Sequence, residues 1–116
     1  MVHISRILCP IDFSDFSRHA LAQAIAVATW YRSELTVLHV FHSVTALDLP
    51  PSILKDVDRE RLAAEMRSVA GQTPPALSVR FLLREAADVR SEILAQVEAL
   101  KSDLMVIGSH GRSGFD

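Results

Sequence analysis

The chain has 116 residues, 49% of them hydrophobic and 22% charged, with a formal net charge of -2. That is enough apolar material for one domain with its own core, and there is no cationic excess to draw it to nucleic acid or an anionic membrane. No stretch approaches the roughly 20 apolar residues of a membrane span. Met1 to Arg6 lacks the charged start, long apolar core and small-residue cleavage site of a secretory signal. The single cysteine, Cys9, can form no internal disulfide, so a cytoplasmic setting is expected.

Taken in order, Ile7-Leu8-Cys9-Pro10-Ile11 predicts a buried strand that stops near Pro10, because proline cannot donate to a central ladder. Cys9, inside that apolar run, reads as a small core residue and not a catalytic thiol. Ser14 is a good N-cap for a helix from about Asp15 to Arg32. Phe16, Ala20, Ala24 and Val27 step by three or four along it, with Leu21, Ile25 and Ala28 widening the stripe. Leu35 to Phe41 is nearly continuous in apolar and β-branched residues, as expected of a strand covered on both faces.

Ser43 to Ser52 reads as a loop closed by Pro50-Pro51, followed by a helix from about Ile53 to Val69 with Leu62, Met66 and Val69 as its stripe. The charged run from Lys55 to Arg61 mixes signs at helical spacing, the pattern of a solvated face. Thr73-Pro74-Pro75 precedes a third predicted strand, Leu77 to Leu83. Asp88 caps a third helix from Val89 to about Lys101, whose apolar face is Val89, Ile93, Val97 and Leu100. Leu104 to Ile107 is the fourth strand. It runs into Gly108-Ser109-His110-Gly111-Arg112-Ser113-Gly114, three of the four glycines of the whole chain.

Strict alternation of strand and helix predicts a doubly wound parallel α/β sheet, and ligands of such sheets bind beyond the strand carboxyl ends, where the winding reverses. The loops richest in site chemistry, Asp12 to Ser14 and Gly108 to Gly114, both lie at such ends. If the first and fourth strands are neighbours, the two loops face each other. His39 and His42 stand three apart in a strand, hence on opposite faces, and are badly placed to share a metal. No P-loop, zinc spacing or nucleophile elbow is present, so turnover is not expected, beyond slow hydrolysis at most.

Ile7-Leu8-Cys9-Pro10-Ile11-Asp12-Phe13-Ser14, Leu35-Thr36-Val37-Leu38-His39-Val40 and, most specifically, Asp103 to Gly114 resemble the opening strand, second strand and signature glycine loop of the universal stress protein family. The likeness spans essentially the whole chain in order and spacing. It implies a parallel sheet of order 3-2-1-4-5, a homodimer, and in some members bound ATP or AMP on a G-x2-G-x9-G-[S/T] pattern.

Gly108 and Gly111 match the first half of that pattern, expected near ribose and phosphates. Asp12 matches the carboxylate near the adenosine, and Val40 and Ile107 match the adenine-flanking positions. Pro10, His110 and Arg112 complete the expected site, His110 as a donor to phosphate and Arg112 as its counter-charge. Read without the resemblance, Asp12 helps Ser14 cap the helix and His110 is an exposed loop histidine. The sequence stops at Asp116, before the second Gly-Ser/Thr. The reading is therefore one incomplete domain over residues 1–116, with strand order 3-2-1-4 and the fifth strand absent from this chain. Weak or absent ATP binding is expected, and self-association or partner pairing through the apolar Leu104 to Ile107 edge. The alternative is a nucleotide-free regulatory or dimerisation module.

Overall fold

The computed structural model describes residues 3–42, 60–61, 63–68 and 73–108. In chain order these form β1 (Arg6–Pro10), α1 (Asp15–Tyr31), β2 (Glu34–His42), the helical residues 60–61 and 63–68 that constitute α2, β3 (Val79–Ala86), α3 (Val89–Ala99) and β4 (Leu104–Met105). All strand pairs are parallel, and the order across the sheet is β3-β2-β1-β4. This is the doubly wound α/β arrangement that the alternation of elements predicts. The Ser43 to Ser52 loop, Lys55 to Arg59 in the charged run, and Leu62 and Val69 lie outside the described residues.

Strand alternation splits the core in two. Ile7, Cys9, Ile11, Leu35 and Val37 point to one face and pack against Ala20, Leu21, Ala24 and Ala28 of α1 and Met66 of α2. Leu8, Leu38 and Val40 point to the other and pack against Ile93 of α3, with Val89, Val97 and Leu100 partly buried beside them. Each fully buried large aliphatic chain contributes about 1.5–3 kcal/mol, so the central strands β1 and β2 anchor both layers.

Three expectations shift. The buried stripe of α1 holds Ser17 where the sequence suggests Phe16, and Phe16 is 48% exposed. The helix is rotated so that its smallest side chains face the sheet. The third strand begins at Val79, because Leu77 N–H closes a turn onto the Pro74 carbonyl at 3.0 Å. It also runs three residues further, through Arg84-Glu85-Ala86, which pair with Val40-Phe41-His42. Polar residues are tolerated there because β3 is the last strand on its side of the described sheet.

The fourth strand is shorter than predicted. Val106 N–H still donates to the Leu8 carbonyl at 2.9 Å, but the next donor in register facing β4 is residue 10, a proline with no N–H. The β1–β4 ladder ends there.

Candidate functional site

Pro10 thus opens a gap between two strands that are paired up to that point. Beyond it, Ile11 N–H turns the other way and donates to Leu38 of β2 at 2.8 Å. The chain then makes a tight turn. An Asp12 carboxylate oxygen accepts Ser14 N–H at 2.9 Å, and the Ser14 hydroxyl accepts Ser17 N–H at 3.1 Å as the N-cap of α1. Ser17 Oγ returns a bond to the Ser14 carbonyl at 3.0 Å. Asp12 and Ser14 therefore share the work: Asp12 shapes the turn and Ser14 caps the helix. The structural reading of Asp12, which shapes the turn ahead of the Ser14 cap, is thus observed.

Phe13, between them, has φ 65, the left-handed region that non-glycine residues enter at a cost of order 1–2 kcal/mol. Its ring lies 4.7 Å from that of His39, tilted by 57°. His39 Nδ1 is 2.7 Å from the Ile11 carbonyl oxygen, so Nδ1 carries the proton that it donates. His39 thus reaches from β2 over the exit of β1 and supports the strained turn. Sequence reasoning weighs His39 only as a metal ligand; the signal for its real place is that it shares strand parity with Val37, on the face that Ile11 also joins. Phe13 carries no sequence signal, because nothing in its neighbours demands positive φ. Among the described residues no group of three His, Cys, Asp or Glu comes together as a metal ligand set.

Gly108 closes the other wall. A Cβ built on it would stand 2.9 Å from both the carbonyl carbon and oxygen of Phe16 and 3.1 Å from Ser17 N. Those are backbone atoms of the first turn of α1 and cannot swing aside. Glycine at 108 is required by this contact, which holds the end of β4 against the helix N-terminus beside Asp12 and Ser14. Of the two loops that the sequence expects to face each other, the Asp12 to Ser14 turn and Gly108 lie together; residues 109–114 are outside the described residues.

Val40 is buried on the α3 face, and by continued alternation Pro10 and Ile107 lie on that same face, Ile107 being 37% exposed. Val40 on β2 and Ile107 after β4 therefore flank the end of β1 from either side. His110, Gly111 and Arg112 lie outside the described residues. Cys9 is fully buried below this site, and burial pushes its thiol pKa up to about 12, the environment of an inert core residue.

The amino end of the sheet is built differently. A single oxygen of Asp103 accepts both Ser5 N–H at 2.8 Å and Arg6 N–H at 3.0 Å, and Asp103 N–H donates to the Arg6 carbonyl at 2.8 Å. The two amides hold the Asp103 carboxyl below its ordinary pKa of 3.8.

A doubly wound parallel sheet that reverses its winding between β1 and β4 defines an α/β module, a class in which ligands bind at the strand carboxyl ends. The chain belongs to the universal stress protein family, whose sequence profile it matches over residues 3–116. It is 29% identical over 119 residues to the universal stress protein A homolog 1 of Coxiella burnetii, covering 99% of this chain and 83% of that protein. A universal stress family protein from Burkholderia pseudomallei superposes with a TM-score of 0.77 at 25% identity, over 92% of this chain and 83% of its own. A universal stress protein whose structure was solved in complex with cAMP superposes at TM-score 0.65 and 20% identity, over 97% of this chain and 81% of its own.

Proposed function

We propose that the chain is a stress-response module of the cytoplasm that binds an adenine nucleotide, ATP or AMP, in the crevice between β1 and β4. Its work is to sense or hold the nucleotide, without catalytic turnover. The observation that carries this reading is the end of the β1–β4 ladder at Pro10, next to the seating of Gly108 on the first turn of α1. Together they leave a cleft whose walls carry Asp12, Val40, Ile107 and Gly108.

In that cleft the Asp12 carboxylate accepts a ribose hydroxyl, and Val40 and Ile107 flank the adenine. The backbone N–H groups around Gly108 approach the sugar-phosphate. His110, Gly111 and Arg112, outside the described residues, are assigned to the phosphates by the motif that Gly108 begins. The relative in complex with cAMP supports an adenine nucleotide as the ligand class. The test is isothermal titration of the chain with ATP, AMP and cAMP, repeated with Asp12→Ala. Saturable binding that weakens about tenfold or more in the variant is expected, the loss of one charge-assisted hydrogen bond. Binding indifferent to Asp12→Ala would move the nucleotide elsewhere.

A second reading rests on β4, which pairs with β1 on one side and with no described strand on the other. Met105, Ile107 and, on α3, Leu94 are exposed nearby, at 36%, 37% and 57%. On this reading β4 is the seam of a homodimer, and nucleotide is dispensable. Sedimentation across a concentration series separates the two: a monomer at every concentration rules out the dimer.

A further inference from the structure

At the amino end of the sheet, remote from the crevice, a groove of about 320 Å³ runs between the starts of β1, β2 and β3 and the end of α3. Its lining includes Arg6, Arg80 and Lys101, with one carboxylate, Glu34. The register explains the clustering. Leu8, Thr36 and Arg80 stand side by side across three strands, and Arg6 and Glu34 are paired on the same face one step toward the amino end. Leu8 is buried, so this row passes from core to groove within three strands.

Arg6 and Glu34 form a long, exposed ion pair of 3.7 Å, which holds the Arg6 guanidinium near the groove at little energetic gain. Arg80 and Lys101 have no ion-pair partner among the described residues. Lys101 sits at φ 51 just past the Leu100 cap of α3, where glycine is the usual residue. Asp103, outside the lining, accepts the Ser5 and Arg6 amides on one oxygen and keeps its negative charge beside Arg6. Ser78 and Ser102 add hydroxyls, and Thr36 adds one to the floor.

We propose that this groove is a second binding site, for a small polyanion carrying phosphoryl or clustered carboxylate groups. Three cations against Glu34 in the lining and Asp103 beside Arg6 leave an excess of one positive charge in a space large enough for a small metabolite. Two guanidinium forks donate bidentately to oxyanions, and the lysine adds a point charge. The site is independent of the nucleotide crevice, and its occupancy does not require it.

The test follows amide chemical shifts of the whole chain during titration with inorganic pyrophosphate and, separately, with citrate at low salt. Shifts clustered at Thr36, Ser78, Arg80, Lys101 and Ser102 are expected, with binding about fivefold weaker in each of Arg80→Gln and Lys101→Gly. Lys101→Gly also relieves the positive φ, so its loss of binding cannot come from misfolding. Saturation by pyrophosphate alone assigns a phosphoryl ligand, and saturation by citrate alone assigns a polycarboxylate. Saturation by neither, shifts confined to Asp12 and Gly108, or unchanged affinity in both variants would overturn the proposal.

Discussion

At its amino end β1 is stitched to β4 by a carboxylate; at its carboxyl end the same two strands part. Asp103 draws the Ser5 and Arg6 amides onto one oxygen, so the strands start locked together. Five residues along β1, Pro10 removes the donor that would continue the ladder, and Gly108 is pulled instead against α1. The contrast also shows in the three described non-glycine residues with positive φ. Arg32 and Lys101 are the exits of α1 and α3, at the amino end of the sheet, and both are exposed. Phe13 is at the carboxyl end, partly buried against the core and braced by His39. Strain at the amino end is incidental to stopping a helix. At the carboxyl end it shapes the walls of the crevice.

The sharpest way to break this contrast is Gly108→Ala. Its Cβ would meet two Phe16 backbone atoms at 2.9 Å, and relieving that overlap must move β4 or α1. A loss of about 2 kcal/mol is expected in urea unfolding, typical of an overpacked contact; a variant as stable as the wild type would show that the seam is loose.

Phe13→Gly sets relief of strain, about 1 kcal/mol, against loss of a packed ring worth more, for a net loss of roughly 2 kcal/mol. Arg32→Gly relieves the same strain with nothing packed to lose, and a gain of about 0.5–1 kcal/mol is expected. Opposite signs for these two in thermal melts carry the comparison, and equal signs break it. Between them in size, Ser14→Ala should cost about 1 kcal/mol through loss of the α1 cap.

The smallest effect belongs to the fully exposed Asp103 and is read from pH. Its carboxyl lies below 3.8 in the folded chain, so its contribution is complete above that value and lost as pH falls through the lower folded one. Asp103→Asn should therefore lower the melting temperature slightly at neutral pH, with the gap to wild type closing below about pH 3.8. A gap that stays constant to pH 3 or widens would mean that Asp103 does not hold the strands through its charge.

Much of the fold was readable along the chain, and the errors have local causes. Alternation placed Ile7, Cys9 and Val37 against Leu8 and Leu38 without help, because burial on both faces leaves a continuous apolar run. Phe16 misled because hydrophobicity outranked size. The contact that set the rotation of α1 is with Gly108, a residue 92 positions away. Leu77 misled because apolar character says nothing of a turn already closed onto Pro74. Asp12, Val40, Ile107 and Gly108 of the candidate site were proposed from a motif, while the bracing of Phe13 by His39 carried no such signal. Stacking across two strands depends on register, which no single segment encodes.

By itself, the sequence determined the order of elements, the two-faced burial of β1 and β2, the helix caps at Ser14 and Asp88, and the stop at Pro10. Each follows from a few neighbouring residues and the chemistry of one backbone. Only the tertiary structure decided that Gly108 meets the first turn of α1 and that Arg6, Arg80 and Lys101 share a groove. Those pairings join residues far apart in the chain, and their energy exists only once both partners are in place.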